Sequence, residues 1–408
     1  MDMESITDLF VFDKEENFIE QLLFILFCVL FFIFPLSTAL REVIGGLAIG
    51  IWLFSGKFIK NRERWLKQEW LIPVVLFMAL PLLGLIRPEF RMVEIKYLKK
   101  SYYWILAFVI ASIYLKKRNM KTMIHILLAG LSLNVFISML QLLNLFPKHK
   151  DLGDYVSTGF MGHIDYSLFL VFGLLLLSFY FTRVSERKHK LGIIFLMAMY
   201  LLSLAFNIAR SGYLAFAILC PVVFYNLLPK KHMLKVAFAS VIVILLLFTS
   251  NVVQHRIIQA VNDIKGYYQG NNETSIGMRL YVWEKSIEII KKNPIIGVGI
   301  LGFKKNFVGE HEDPNSFVID HPHNSYLYMA TSFGLIGLGC FVWLLWVFIK
   351  KGWTYRNNTV GYAILSFALI FLIGSLTDSE IRSNAVLVML ALLTGIPPED
   401  HTTRPSET

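Results

Sequence analysis

The chain repeats one unit that leaves little choice of fold: an apolar run of about 20 residues, closed by a short cluster of lysines and arginines. Hydrocarbon offers the backbone no hydrogen-bond partner, so such a run crosses a bilayer as a helix that satisfies its own amides. Segments of this kind lie near 18–37, 40–56, 70–86, 101–115, 121–145, 164–182, 191–208, 212–228, 234–250, 324–349, 359–377 and 383–396. Only 17% of the residues are charged, against about a quarter in soluble domains. The expected fold class is an all-α polytopic membrane protein with about 12 transmembrane helices and one large outer helical loop. Its parts are residues 1–250 with the first nine helices, the loop 251–323, and residues 324–408 with the last three helices and a cytoplasmic tail.

Charge sets the orientation. The loops 57–67, 116–121, 183–190, 229–235 and 350–356 are all basic. With the N-terminus inside and twelve spans, each falls on the cytoplasmic side, as the positive-inside rule requires. The stretch 87–100 falls outside yet carries five Lys or Arg. Those charges meet lipid phosphate or an anionic substrate, or else a helix nearby is miscounted. The net charge of +10 resides mostly in these clusters, which points to membrane lipids and anionic substrates as partners and away from nucleic acid. The acidic N-terminus lacks the basic start of a cleavable signal. Cys28, Cys220 and Cys340 are scattered in apolar segments with no metal or redox spacing.

The loop 251–323 is the one outer loop large enough to fold. Ile257, Ile258, Val261 and Ile264 recur at helical spacing. After the turn at 270–275, Ser275 can cap a second helix with Leu280, Trp283, Ile287 and Ile290 on one face, stopped by Asn293–Pro294. The loop thus reads as a two-helix lid.

Three residues at the outer side are candidates for chemistry. His323 stands where the apolar run from Ser325 begins, and a neutral imidazole there can take a proton from a hydroxyl; its ordinary alternative, with His321, is a helix cap. Arg210 sits between two apolar helices with almost no loop. An arginine there either snorkels to lipid phosphate or serves as a fixed cation, and Ser211 and Gly212 would let a ligand approach the backbone. Arg279, near the start of the second lid helix, either decorates a surface or grips phosphate oxygens. Asn324 would orient a sugar hydroxyl, with His321 and Trp283 as supporting contacts. Asp165 with His163, and Asp378 with Glu380, are weaker outer-side polar pairs. The acidic run Glu310–Asp313 lacks a convincing ligand spacing, so no metal is expected. Walker loops, dinucleotide fingerprints and Ser/His/Asp arrangements are missing from the sequence.

His323-Asn324, nine further residues and Gly334-Leu335-Ile336-Gly337 form a pattern that resembles the signature of the bacterial O-antigen ligases, within the wider ligase and polymerase superfamily. Arg210 in its outer turn is similar to that family's turn arginine. Arg279 followed by Pro294-Ile295-Ile296-Gly297-Val298-Gly299 is similar to its loop arginine and Pro-x-x-Gly-x-Gly motif. The motifs cover roughly residues 150–350. The resemblance implies an enzyme of the bacterial inner membrane with its site facing the periplasm. It implies a glycan donor on undecaprenyl diphosphate, a lipid A–core acceptor, and no metal, ATP or other cofactor. His323 would be the general base, Arg210 and Arg279 would stabilise the diphosphate, and the product would be inverted. An O-antigen polymerase, with a second lipid-linked glycan as acceptor, is the nearest alternative. A polysaccharide-lipid transporter is another, but it would place charges at mid-membrane rather than at helix ends.

Overall fold

The computed structural model describes residues 18–86, 101–113, 117–148, 157–227, 233–247, 249–271, 273–308 and 321–397. The basic stretch 87–100 and the acidic run 310–313 lie outside these residues. All regular structure among the described residues is helical. Each of the twelve apolar segments holds a helix: α1 Phe18–Ile33, α2 Thr38–Phe54, α3 Leu71–Ala79, α4 Ile105–Ser112, α5 Lys117–Leu142, α6 His163–Phe181, α7 Arg187–Ala205, α8 Arg210–Leu227 and α9 Met233–Leu247, then α13 Ser325–Thr354, α14 Thr359–Thr377 and α15 Asn384–Gly395. Between α9 and α13 lie α10 Asn251–Tyr268, α11 Ser275–Lys292 and the short α12 Gly302–Val308.

Length separates these helices. Among the described residues, Asn119–Leu142 of α5, together with α6, α7, α8, α13 and α14, are the six that are long and apolar enough to cross a bilayer unaided. The other helices of the twelve apolar segments are shorter. α15 has 12 residues, roughly 18 Å at 1.5 Å per residue, less than the hydrocarbon thickness of about 30 Å. It ends inside the protein, where Lys351 Nζ donates to the carbonyls of Thr394 (2.6 Å) and Ile396 (2.7 Å). Those carbonyls have no partner within the helix itself.

α6 and α14 form the buried centre. Both are apolar all round, as a helix enclosed by other helices must be, and they pack on each other and on α8. Phe169, Phe172 and Phe367 make their contact, with ring centroids 5.2–5.5 Å apart across the helix pair or to Phe34. By contrast, α7 turns Leu191, Ile194, Phe195 and Leu202 outward, which is how a lipid-facing surface looks.

α13 is broken, and the break explains two sequence motifs at once. Gly334 has φ 65° and ψ −159° inside the helix, a conformation open essentially to glycine alone. The turn segment Pro294–Gly299 docks at the gap. Val298 and Gly299 donate their N–H groups to the carbonyls of Thr331 and Ser332, both at 2.8 Å; Leu335 donates back to Pro294 at 2.7 Å and Ile336 to Ile295 at 3.3 Å. The loop thus replaces the hydrogen bonds that the kink removes, as irregular backbone at membrane depth requires. A Cβ on Gly334 would lie 2.2 Å from the Ile295 carbonyl oxygen, and one on Gly297 (φ 62°) 2.4 Å from that of Thr331. Gly334→Ala should therefore cost at least ~2 kcal/mol; a wild-type melting temperature for the purified variant would refute this seam.

The lid has a small core of its own. Val282, Ile289, Val298 and Phe303 pack together, with Met278 and Tyr281 beside them. The residue that caps α11 is Thr274, whose hydroxyl accepts from Gly277 N–H at 3.1 Å, one position before the expected Ser275. The buried face of α11 is Gly277, Val282, Ser286 and Ile289, while Ile287 is exposed. Val282 and Ile289 carry that face into the lid core, with the small Gly277 and Ser286 beside them. Ile258, Val261 and Ile264 of α10 are also exposed. A third helix, α12, joins the two expected.

Candidate active site

The site grows from the ends of α13 and α14. Asn324 caps α13: its Oδ1 accepts from the N–H groups of Tyr326 (2.9 Å) and Leu327 (3.0 Å), and its Nδ2 donates to the Leu376 carbonyl at 3.0 Å. Both ends of the amide are committed within the protein. Asn324 thereby ties the start of α13 to the end of α14, a structural task in place of the sugar contact expected of it.

His323 precedes the cap with φ 48°, uncommon for a residue with a side chain. Two contacts hold this backbone. Its own N–H donates to His321 Nδ1 at 3.2 Å, and Trp283 Nε1 of the lid donates to the Pro322 carbonyl at 2.8 Å. Trp283 thus anchors the histidine loop from above, and His321, whose ring centroid lies 4.1 Å from that of His323, supports it from the side. Because His321 Nδ1 accepts that N–H, it carries a lone pair, which assigns its proton to Nε2 when neutral.

The partner of His323 is Asp378, just past α14. Asp378 Oδ1 lies 3.2 Å from His323 Nδ1 and accepts from the Ser379 N–H at 2.7 Å. Burial acts to raise this carboxyl, but the hydrogen bond and charge of His323, the Arg279 guanidinium and the Ser379 amide outweigh it and hold the group below its ordinary range. A carboxylate on Nδ1 fixes the proton there and leaves the Nε2 lone pair for a substrate proton. The His323 side chain is 33% exposed and that of Asp378 only 11%, so the imidazole is open while its carboxylate partner is covered. Glu380, two residues on, is pushed well above its ordinary value by burial and by the nearby Asp165 and Asp378 charges.

Cations complete the site. Arg279 Nη2 lies 3.8 Å from Asp378 Oδ2, a buried oxygen with no hydrogen-bond partner. Arg210 is the first residue of α8 and faces the lid helix α10, 3.4 Å from Gln259 Oε1 and 3.8 Å from Asp263 Oδ2. Its Nη1 is buried without a hydrogen-bond partner. Arg256, which sequence reasoning missed, donates to the same Gln259 oxygen at 2.9 Å, and both it and Arg279 act electrostatically on Arg210. Three guanidinium groups thus gather where a lid helix crosses the bundle. The contacts of 3.4–3.8 Å made by Arg210 and Arg279 leave the hydrogen-bonding capacity of these two largely available to an anion.

Ser211 and Gly212 do not open the backbone to a ligand. Ser211 is buried and bonded to the Thr377 hydroxyl at 2.9 Å, and a Cβ on Gly212 would meet Ser167 Cβ at 2.5 Å. Both residues instead bring α8 close to α14 and α6. Among the described residues, one cluster could also hold a metal ion: His321, His323 and Asp378 place ligand atoms within 4.8 Å of one another. The Nδ1 atoms of both histidines and the Asp378 carboxylate are hydrogen-bonded to one another and to neighbouring groups, so a metal held through Nδ1 would have to displace those bonds.

Asp378→Asn should lower turnover on the order of 10²–10⁴-fold, because an amide no longer stabilises the imidazolium or selects its tautomer. The sign of the pH effect follows from the lowered carboxyl. The pairing stabilises the fold above about pH 4, the ordinary Asp value. That stability fades as pH falls through the lower folded value. The melting-temperature difference between wild type and Asp378→Asn should shrink in acid; a difference that grows in acid would contradict the pairing.

Fold and site together define an α-helical multi-pass membrane protein with a histidine–carboxylate pair and three arginines gathered at one end of its bundle. Residues 192–342 match the family described as O-antigen ligase. The chain is 27% identical over 208 residues to an O-antigen ligase of Escherichia coli, 47% of each chain. It is 28% identical over 175 residues to a putative polysaccharide ligase of Rickettsia felis, 41% of this chain and 40% of that one. An uncharacterized protein of Haemophilus influenzae is 25% identical over 219 residues, 50% of this chain and 54% of that one. The chain thus spans about half the length of the curated relatives it matches.

Proposed function

We propose that this chain is an inverting glycosyltransferase of the bacterial inner membrane. It moves a glycan from undecaprenyl diphosphate to a sugar hydroxyl of lipid A–core at a periplasmic site. The observation that carries this reading is the His323–Asp378 pair set beside Arg279, in a chain whose residues 192–342 match the O-antigen ligase family. His323 Nε2 removes the acceptor hydroxyl proton. The freed oxygen attacks the anomeric carbon, and the bond from that carbon to the diphosphate oxygen breaks. The diphosphate leaves with its added charge met by Arg279, Arg210 and Arg256, donors already in place when charge develops. A single displacement inverts the anomeric configuration. The membrane confines both lipids, and the lid holds their headgroups over the base.

Deletion of the gene tests the reading. Lipopolysaccharide on a gel should lose all polymer from lipid A–core while polymer accumulates on the carrier. Retention of one repeat unit on the core would mark a polymerase instead, and normal surface glycan would exclude both. Purified enzyme should transfer glycan at an undiminished rate in EDTA. Strict dependence on added divalent metal would reassign His321, His323 and Asp378 as ligands.

A further inference from the structure

A polar cavity opens on the turn that leads from Asp378 to α15 and takes no part in the mechanism above. It occupies about 420 Å³ and is lined by Arg41, Asp165, Arg382 and Asn384, with Phe34 and Phe160 among its walls. That volume lies within the roughly 300–1,000 Å³ of small-molecule sites. Three loops expected on the outer side form it: the α1–α2 turn, the start of α6 and the turn before α15. Arg41 is only 6% exposed, yet its Nε has no hydrogen-bond partner, and neither has the buried Asn384 Oδ1. Buried polar atoms are normally satisfied, so unpaired ones in a cavity wall mark a place where a ligand bonds.

The donor set identifies the ligand chemistry. A phosphate site gathers cations and excludes carboxylates. Here Asp165 Oδ1 and Ser383, joined at 2.8 Å, share the wall with Arg41 and Arg382. Mixed donors and acceptors with aromatic faces suit a ring bearing several hydroxyls, each of which both donates and accepts. Position identifies which sugar. The turn that carries Asp378, the partner of His323, at one end carries Ser383, a lining residue of the cavity, at the other. The cavity shares no lining residue with the arginine cluster proposed for the diphosphate. In a displacement the nucleophile approaches away from the leaving group. We infer that this cavity is the subsite for the acceptor's terminal saccharide, which positions its hydroxyl for His323. This assignment rests on the glycosyltransferase reading.

The test uses the full chain in lipid nanodiscs with purified lipid A–core and undecaprenyl-diphosphate glycan. Two variants are compared: Asn384→Ala, which removes an unpaired acceptor while leaving the Ser383 cap intact, and Thr38→Trp, which fills the cavity from its exposed rim. Each should raise the KM for lipid A–core at least tenfold, leave the donor KM within twofold, and weaken lipid A–core binding to the unreacted enzyme by the same factor. An unchanged acceptor KM in both variants, or a rise confined to the donor KM, would overturn the subsite while leaving the enzyme reading in place. A wild-type chain that transfers no glycan but binds lipid A–core normally would overturn the enzyme reading instead.

Discussion

His323→Ala should reduce glycan transfer by about 10²–10⁴-fold, the usual span for removal of a general base. The geometry makes this a loss of chemistry rather than of fold. The ring is one-third exposed, and the backbone at 323 is held by contacts that alanine keeps: its own N–H to His321 and the Trp283 bond to Pro322. Purified variant should therefore keep near-wild-type KM values for both lipids while kcat collapses. Turnover within tenfold of wild type would remove His323 as the base. His321→Ala should do less, since that ring acts through the position of its neighbour. Supplying imidazole to His323→Ala gives a further readout: partial rescue is expected if the missing function is proton transfer.

The arginines should come next in effect. Arg279→Ala and Arg210→Ala should each lower kcat by about 10²–10³-fold, the cost of removing one preorganised donor from a developing anion. The two losses differ in kind. Arg279 also neighbours Asp378, so its removal leaves a buried carboxylate less compensated and should perturb the base as well. Arg210 is tied only loosely to Gln259 and Asp263 of the lid, so Arg210→Lys, which keeps the charge, should recover much of the rate. Arg279→Lys should recover less, because a point charge cannot serve the carboxylate and a phosphate with a planar fork. Equal rescue by lysine at both positions would argue that charge alone matters. Activity retained in the double alanine variant would remove the electrostatic role altogether.

Asp378 shows why part of the site was hard to read in the sequence. It appears there only as one of two acids after an apolar helix, 55 residues from His323, and nothing in the local pattern marks it over Glu380. Folding separates them: Asp378 caps the end of α14 beside His323, while Glu380 is buried in the next turn. Arg256 was obscured for a similar reason, as one polar residue on an amphipathic helix. Asn324 and Ser211 erred in the other direction. Both stand next to chemistry in the sequence, but their polar atoms hold helices together. A short polar side chain at a helix end bonds the nearest backbone first, and that bond cannot be seen until the chain is folded.

The sequence by itself determined the membrane-embedded helical class, the location of twelve helical segments, the lid between the ninth and tenth, and His323, Arg279 and Arg210 as the charged candidates at helix ends. These follow from transfer free energies and helical periodicity, which act over a single segment and need no knowledge of neighbours. Only the tertiary structure decided which acid pairs with the histidine, which glycines interlock Pro294–Gly299 with the broken α13, and that the end of α15 is capped inside the protein. Those outcomes depend on contacts between residues tens of positions apart. They are set by packing and by hydrogen bonds between buried polar groups, which no local pattern records.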